Sequence, residues 1–232
     1  LKTRFECTAN YDPSWINENK RGPNPLWLLE DLTKDMNLRK GMKILDMGCG
    51  KAITSIFLAR EYGLQLWAND LWIDPTENLN RIKQAGVEDR VFPLKAEAHS
   101  LPYANEFFDA IISIDAYHYF GTSELYFSWY FQKLVKSGGQ IGIVVPGVTD
   151  EINNEGDLPE KLKQLWSDDL YTFRTYQWWK NHWDKTKHVT IDLAGNIEDS
   201  KELWLKSNCD QELLAADEED LLTFVKIIAT KK

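Results

Sequence analysis

KILDMGCGKA, residues 43–52, is where an apolar run, an acid, a glycine-rich turn and a helix start meet. Lys43–Asp46 has the short apolar run of a strand buried on both faces. Gly48 and Gly50 remove Cβ where the chain turns sharply and let a ligand approach the backbone. A helix is predicted over Ala52–Tyr62, through Ile53, Ile56, Phe57 and Ala59, with Gly63 as its stop. Its free N–H groups and positive dipole end face the same ligand. A dinucleotide turn asks for a small residue where Ile53 stands, and a pyrophosphate is repelled by a charge at Asp46. No GK[ST] follows, which excludes a Walker loop. An acid beside a backbone nest suits a ligand carrying an amino group as well as a carboxylate.

Working outward, strand-like and helix-like segments alternate. Asn24–Met36 reads as a helix through Leu26, Leu29, Leu32 and Met36. Leu64–Asn69 is the second strand. Asp74-Pro75-Thr76-Glu77 is a helix start, with a capping acid and proline at the first helical position, and Gly86 is its stop. Val91–Ala96 and Asp109–Ile114 are the third and fourth strands. A helix is predicted from Thr122 to about Lys136, a turn at Ser137-Gly138-Gly139, and a fifth strand at Gln140–Val145. Helices between short apolar strands predict an α/β protein with a doubly wound, mostly parallel sheet. Its ligand belongs at the carboxyl ends of the strands, at the switch point. His188–Leu193 and Leu222–Ala229 read as two last strands, an antiparallel edge pair that completes a seven-stranded sheet.

One domain over 1–232 is predicted: an N-terminal helical segment (1–40), a ligand-binding core (41–147), an insertion (148–187) and the last two strands (188–232). The insertion is polar, acidic and aromatic, with a helix start at Asp157 and Pro159. Trp166, Trp178, Trp179, Trp183 and Trp204 all follow the fifth strand and predict a Trp-rich helical cap on the sheet. The acidic run Asp217–Asp220 reads as a solvated face or helix start.

The formal net charge of -9 disfavours binding to a phosphate backbone. No apolar run is long enough to span a membrane, and LKTRFECTANYD lacks the apolar run of a signal peptide. Cys7, Cys49 and Cys209 stand far apart and the four histidines form no HxxxH pair, so reduced thiols, a cytoplasmic location and no metal are expected.

Further acids fall on schedule. Asp70 ends the second strand and can accept two ribose hydroxyls, with Leu71 and Trp72 placed to cover an adenine face. Glu97, after the third strand in AEAHSLPY, can accept from an exocyclic amine while the Ala98 N–H donates to a ring nitrogen. Asp115 ends the fourth strand. With Asp46, four acids at four successive strand ends converge on one crevice.

ILDMGCGKA, ANDLW, AEAHSLPYANEFFDAI, IDAYHYF and KSGGQIGIVV, together covering residues 40–145, resemble the class I S-adenosylmethionine-dependent methyltransferases, of small-molecule type. The resemblance implies a Rossmann-like fold and S-adenosylmethionine as cofactor. It places Gly48, Cys49 and Gly50 on the methionyl part, Asp46 toward its amino group, Asp70, Leu71 and Trp72 on the ribose and adenine, Glu97 and Ala98 on the adenine edge, and Asp115 in the same crevice. Ala52 stands where the family has glycine, and Glu97 where it has aspartate. The resemblance also implies that the N-terminal segment and the insertion roof a substrate pocket. The acids Asp157, Asp168, Asp169 and Asp184 in that roof are expected to suit an amine or other cationic acceptor.

The chemistry expected is in-line methyl transfer to N or O of a small molecule, in a monomer or homodimer. His118, which titrates near neutrality, is the candidate base, and Tyr117 a candidate for orienting substrate. A non-catalytic S-adenosylmethionine-binding protein and an NAD-dependent oxidoreductase are the alternatives.

Overall fold

The computed structural model describes residues 3–232. Seven strands form one sheet in the order β3-β2-β1-β4-β5-β7-β6. They are β1 (Lys43–Met47), β2 (Gln65–Asp70), β3 (Val91–Lys95), β4 (Phe108–Ile114), β5 (Val135–Val148), β6 (Val189–Asn196) and β7 (Leu222–Lys231). The first five pair in parallel. β7 runs antiparallel between β5 and β6. The strand order reverses between β1 and β4, which opens a crevice at their carboxyl ends. The sheet expected from the sequence is therefore the sheet observed.

The helices are α1 (Pro13–Asn19), α2 (Pro25–Thr33), α3 (Ile53–Tyr62), α4 (Pro75–Gln84), α5 (Gln132–Leu134), α6 (Glu160–Lys163), α7 (Tyr176–Asp184), α8 (Ser200–Lys206) and α9 (Gln211–Ala216). Period-two alternation along the strands sends successive side chains to two cores. Ile44, Ala110 and Ile228 join Leu29, Phe57 and Trp204 in one. Leu45, Ile111 and Ile227 join Phe131, Trp179 and Trp183 in the other.

Three helices start alike. Asp12, Asn24 and Asp74 each accept a hydrogen bond from a backbone N–H two residues on, with proline at the first helical position. The Asp12-Pro13 pair was the available signal for α1, which the sequence reading leaves out.

Three expectations are corrected. The helix predicted from Thr122 to Lys136 is a π-helical turn at Phe127–Phe131 followed by α5. The wider turn brings Tyr126, Phe127 and Phe131 inward together, where Phe127 stacks on Trp183 at 4.7 Å. Ser137-Gly138-Gly139 is not a separate turn but part of β5, with an irregular register against β4 and Gly138 at φ +77°. The acidic run is not a solvated face throughout: buried Asp217 accepts the N–H groups of Leu221 and Leu222 and so starts β7, while α8 and α9 fill the connection before it. Among the described residues, no helix is long and apolar enough to cross a membrane.

Candidate active site

A cavity of about 1010 Å³ opens at the carboxyl ends of β1 to β4. Its lining comes from 19–25, 47–54, 69–72, 96–99 and 114–123. That volume lies at the upper end of the ~300–1,000 Å³ usual for small-molecule sites and leaves room for two ligands side by side.

The floor is the glycine turn. Gly48 has φ +76°, and a Cβ there would stand 2.3 Å from the Cβ of Ala116, so only glycine fits. The N–H groups of Gly48 and Cys49 donate to Asn69 O at 2.8 and 3.0 Å, which ties the turn to the end of β2. The Gly50 N–H donates to Asp70 Oδ2 at 2.9 Å, and Asp70 Oδ1 accepts from the N–H groups of Trp72 and Ile73 at 2.8 and 3.0 Å. Three accepted bonds leave the carboxylate capacity for one more donor, on the cavity side. A glycine floor with this acid beside it fits a ribose-bearing ligand whose polar end meets the backbone.

Asp46 does not line the cavity. It is 1% exposed and lies behind the turn, where Oδ2 accepts from the hydroxyls of Thr54 and Ser55, both at 2.6 Å, and Oδ1 has no partner. Burial raises its carboxyl to about 6 against those two hydroxyls, and Asp70 adds to the rise. It holds the first turn of α3 against β1 rather than reaching into the crevice, because its strand position points it at that helix. Cys49 does line the cavity, and burial, then Asp46 and Asp70, push its thiol well up.

On the other side of the cavity, Leu71, Trp72, Glu97 and Ala98 all take part in the lining. Glu97 turns back on its own loop: Oε1 lies 2.8 Å from His99 Nδ1 and Oε2 accepts the His99 N–H at 2.8 Å. His99 also lines the cavity, and the sequence reading passes over it.

Asp115 lines the cavity at φ +54° and takes part in no hydrogen bond from its carboxyl among the described residues. Gly22, at φ +104°, passes so close above it that a Cβ there would stand 2.8 Å from Asp115 Oδ2. Burial, with a contribution from Asp210, pushes the Asp115 carboxyl up to about 8. Tyr119 stands at the rim, its hydroxyl raised by burial and then by Asp115, Asp169 and Asp210, and lowered by Arg21. Lys20 is committed elsewhere: its ammonium donates to Gly22 O at 2.9 Å and Ser207 O at 2.6 Å.

The two candidate catalytic residues are not in the cavity. The short 3-10 turn Tyr117–Tyr119 sends Tyr119 and Phe120 into the lining and the other two rings behind it. His118 is 1% exposed, with its ring 5.7 Å from Phe173 and Nδ1 without a partner. Burial lowers it to about 3, so it stays neutral at any physiological pH. Tyr117 is enclosed by Phe131, Trp179 and Trp183, with ring centroids 4.9, 5.5 and 5.6 Å away. The insertion behaves the same way: no residue of 148–187 lines the cavity, and Trp72 is its one tryptophan. The roof is the N-terminal strap at 19–25 alone. Of the four roof acids, Asp169 acts on Tyr119 from outside the lining, Asp157 caps its own turn and Asp184 pairs with Lys187.

A methyltransferase-domain family matches residues 44–139, the segment from β1 into β5 that supplies most of this lining. That family is described as a methyltransferase domain, and its match covers less than half of the chain. The chain is 29% identical over 160 residues to the methyltransferase GfsG of Streptomyces halstedii, covering 66% of this chain and 56% of that protein. This chain thus spans just over half the length of that relative. It is 23% identical over 192 residues to the sarcosine/dimethylglycine N-methyltransferase of Aphanothece halophytica, covering 78% of this chain and 69% of that one. The fold is that of the geranyl diphosphate C-methyltransferase of Streptomyces coelicolor A3(2), whose structure holds S-adenosyl-L-homocysteine: TM-score 0.73 at 12% identity, over 88% of this chain and 80% of that one. The relatives' names include both N- and C-methyltransferases. Among the described residues no three His, Cys, Asp or Glu side chains group as a metal site.

Proposed function

We propose that this chain transfers a methyl group from S-adenosylmethionine to an amine nitrogen of a small molecule. The observation that carries the reading is the half-buried Asp115 carboxyl, lining the cavity under Gly22 and without a hydrogen-bonded partner among the described residues. Gly48, Cys49 and Gly50 are the residues to hold the methionyl part of the cofactor, Asp70 the ribose, and Leu71, Trp72 and Ala98 the adenine. When bound, S-adenosylmethionine supplies a methyl group on a positively charged sulfur.

The rest of the cavity belongs to the acceptor. Asp115, Asp169 and Asp210 act on the Tyr119 hydroxyl against Arg21 alone, so the rim favours a cation. An alkylammonium group placed at Asp115 neutralises a carboxylate that is otherwise costly to ionise there. The carboxylate then takes the ammonium proton, which frees the nitrogen electron pair. With S-adenosylmethionine bound, that pair would take the methyl group, the N–C bond forming as the C–S bond breaks and its electrons remain on sulfur. The strap at 19–25 and the rings of Tyr119 and Phe120 exclude water and align the two reactants. His118 takes no part, since it lies outside the lining.

Calorimetry with S-adenosylhomocysteine and with NAD, followed by a screen of radiolabelled methyl transfer to small amines, tests the reading. Binding of S-adenosylhomocysteine and turnover of an amine are expected. Binding of NAD in its place, or turnover only with acceptors that carry no amine, would overturn it. Cofactor binding without turnover of any acceptor would make the chain a binding protein.

A further inference from the structure

The strap that roofs the cavity is fastened to a turn 187 residues further along the chain. The half-buried Lys20 ammonium donates to Gly22 O at 2.9 Å and to Ser207 O at 2.6 Å, so it bridges the strap to the turn between α8 and α9. Ser207 is buried and closes a second bond. Its Oγ accepts the Asn24 N–H at 2.9 Å, while its own hydroxyl proton goes to Leu203 O at 2.8 Å. Residues 20–24 are therefore held at both ends. Between those ends Gly22, at φ +104°, comes down on Asp115 Oδ2 so closely that a Cβ has no room. The same turn ends at Asp210, which accepts the Trp204 Nε1–H at 3.0 Å and precedes α9.

Two influences raise the Asp115 carboxyl, burial first and then the charge of Asp210. Gly22 brings the first and the turn brings the second, and Lys20 ties those two segments together. The other neighbours are Cys209 and, at the rim, Tyr119 with Asp169 and Arg21. The Cys209 thiol, pushed up to about 12 by burial and then by Asp210, stays uncharged.

We propose that Lys20 is a positioning residue for the methyl acceptor: its bridge to Ser207 holds Gly22 and the Asp210 turn against Asp115 and closes the amine site. The proposal rests on the reading of Asp115 as that site. An ammonium suits the task because its three donors can reach carbonyls in two segments at once. Its charge alone would act on Asp115 in the opposite direction, since a nearby cation lowers a carboxyl while exclusion of water raises it. Removal of Lys20 therefore separates the two roles by sign.

The test is a carboxyl-carbon NMR titration of Asp115, its signal assigned by its loss in Asp115→Asn. The wild-type midpoint is expected at about 8. In Lys20→Met it should fall by about one pH unit or more, as water reaches the carboxyl. Ser207→Ala removes no charge and should shift it the same way, and it decides the matter if Lys20→Met does not fold. Lys20→Met should also lower kcat/KM for the amine roughly tenfold or more, through misplacement of the acceptor. Affinity for S-adenosylhomocysteine should stay within about threefold, because the glycine turn keeps its own bonds to β2. A midpoint that stays or rises in Lys20→Met would overturn the proposal, as would a wild-type midpoint already near 3.8. A larger loss of affinity for S-adenosylhomocysteine would place Lys20 in the cofactor site and overturn it too. A wild type that turns over no amine, with the midpoint falling in Lys20→Met, defeats the amine reading alone. Turnover of an amine with an unmoved midpoint defeats the bridge alone.

Discussion

At the carboxyl ends of β1 and β4 the backbone turns through left-handed residues, Gly48, Gly50 and Asp115, with φ of +76°, +54° and +54°. β5 and β7, by contrast, pair residue by residue from Gln140 with Thr230 to Val148 with Leu222. The cavity draws on the first half of the sheet and on the strap above it, and takes nothing from β5, β6 or β7. Both halves are buried, so burial does not distinguish them. Parallel strands bring their carboxyl ends to one side and must leave it by sharp turns, which frees N–H groups and acids there. An antiparallel ladder satisfies its own backbone and has only side chains left to offer. In this chain those include Val145, Val225 and Ile227, which pack with Trp179 and Trp183 of α7 as core.

Substitutions can break that comparison. The largest effect belongs to the antiparallel half: Trp183→Ala should cost about 3–5 kcal/mol of stability by denaturant melt, because the ring is fully buried on Phe127. Its folded fraction should bind S-adenosylhomocysteine within about threefold of wild type, since distant sites act independently. A large loss of affinity would tie the two halves together.

Gly48→Ala tests the parallel half. Left-handed backbone and overlap with Ala116 together should cost about 2–5 kcal/mol. Here affinity for S-adenosylhomocysteine should fall along with stability, roughly tenfold for each 1.4 kcal/mol expressed in the site.

Asp115→Asn should leave that affinity within about threefold and lower turnover by roughly 10²-fold or more. In the wild type, kcat/KM for the amine should rise with pH as the carboxyl ionises, up to about 8. Stability runs the other way. The folded carboxyl keeps its proton to about 8 while the unfolded one releases it near 3.8, so stability should fall as pH rises between those values. Asp115→Asn should flatten both slopes, and a profile unchanged by the substitution would remove Asp115 from the chemistry.

His118→Phe should change turnover by less than about threefold, because the ring touches no reactant site. Its signature is acid stability. The unfolded imidazole binds a proton near 6.5 and the folded one only near 3, so the wild type should lose stability as pH falls from 6.5 toward 3. The variant should lose that dependence in pH-dependent melts. The smallest effect is expected at Ala52, a non-glycine residue at φ 60° that starts α3. In Ala52→Gly, relief of left-handed strain and loss of a buried methyl should nearly cancel, leaving a change within about 1 kcal/mol.

Much of this was legible in the chain. The apolar strands, the glycine turn at 48–50, Asp70 and the Asp74-Pro75 helix start depend on local geometry, and local geometry is written in residue type and spacing. Asp46 and His118 show where that reading stops. Both lie next to residues that line the cavity, yet each points behind it. A side chain's direction at the end of a strand or in a 3-10 turn changes with one residue of register, and no spacing rule carries that. The same holds for 148–187, whose aromatic spacing marks a buried face but not which surface buries it.

The sequence alone determined the doubly wound α/β core with its glycine turn at KILDMGCGKA, because hydrophobic period, capping chemistry and glycine placement act over a few residues. Only the tertiary structure decided which polar groups face the cavity. Asp115 acquired its candidate role from neighbours far off in the chain, Gly22 and Asp210. Desolvation and hydrogen-bond competition, which decide whether an acid is spent or available, exist only once those neighbours have been brought together.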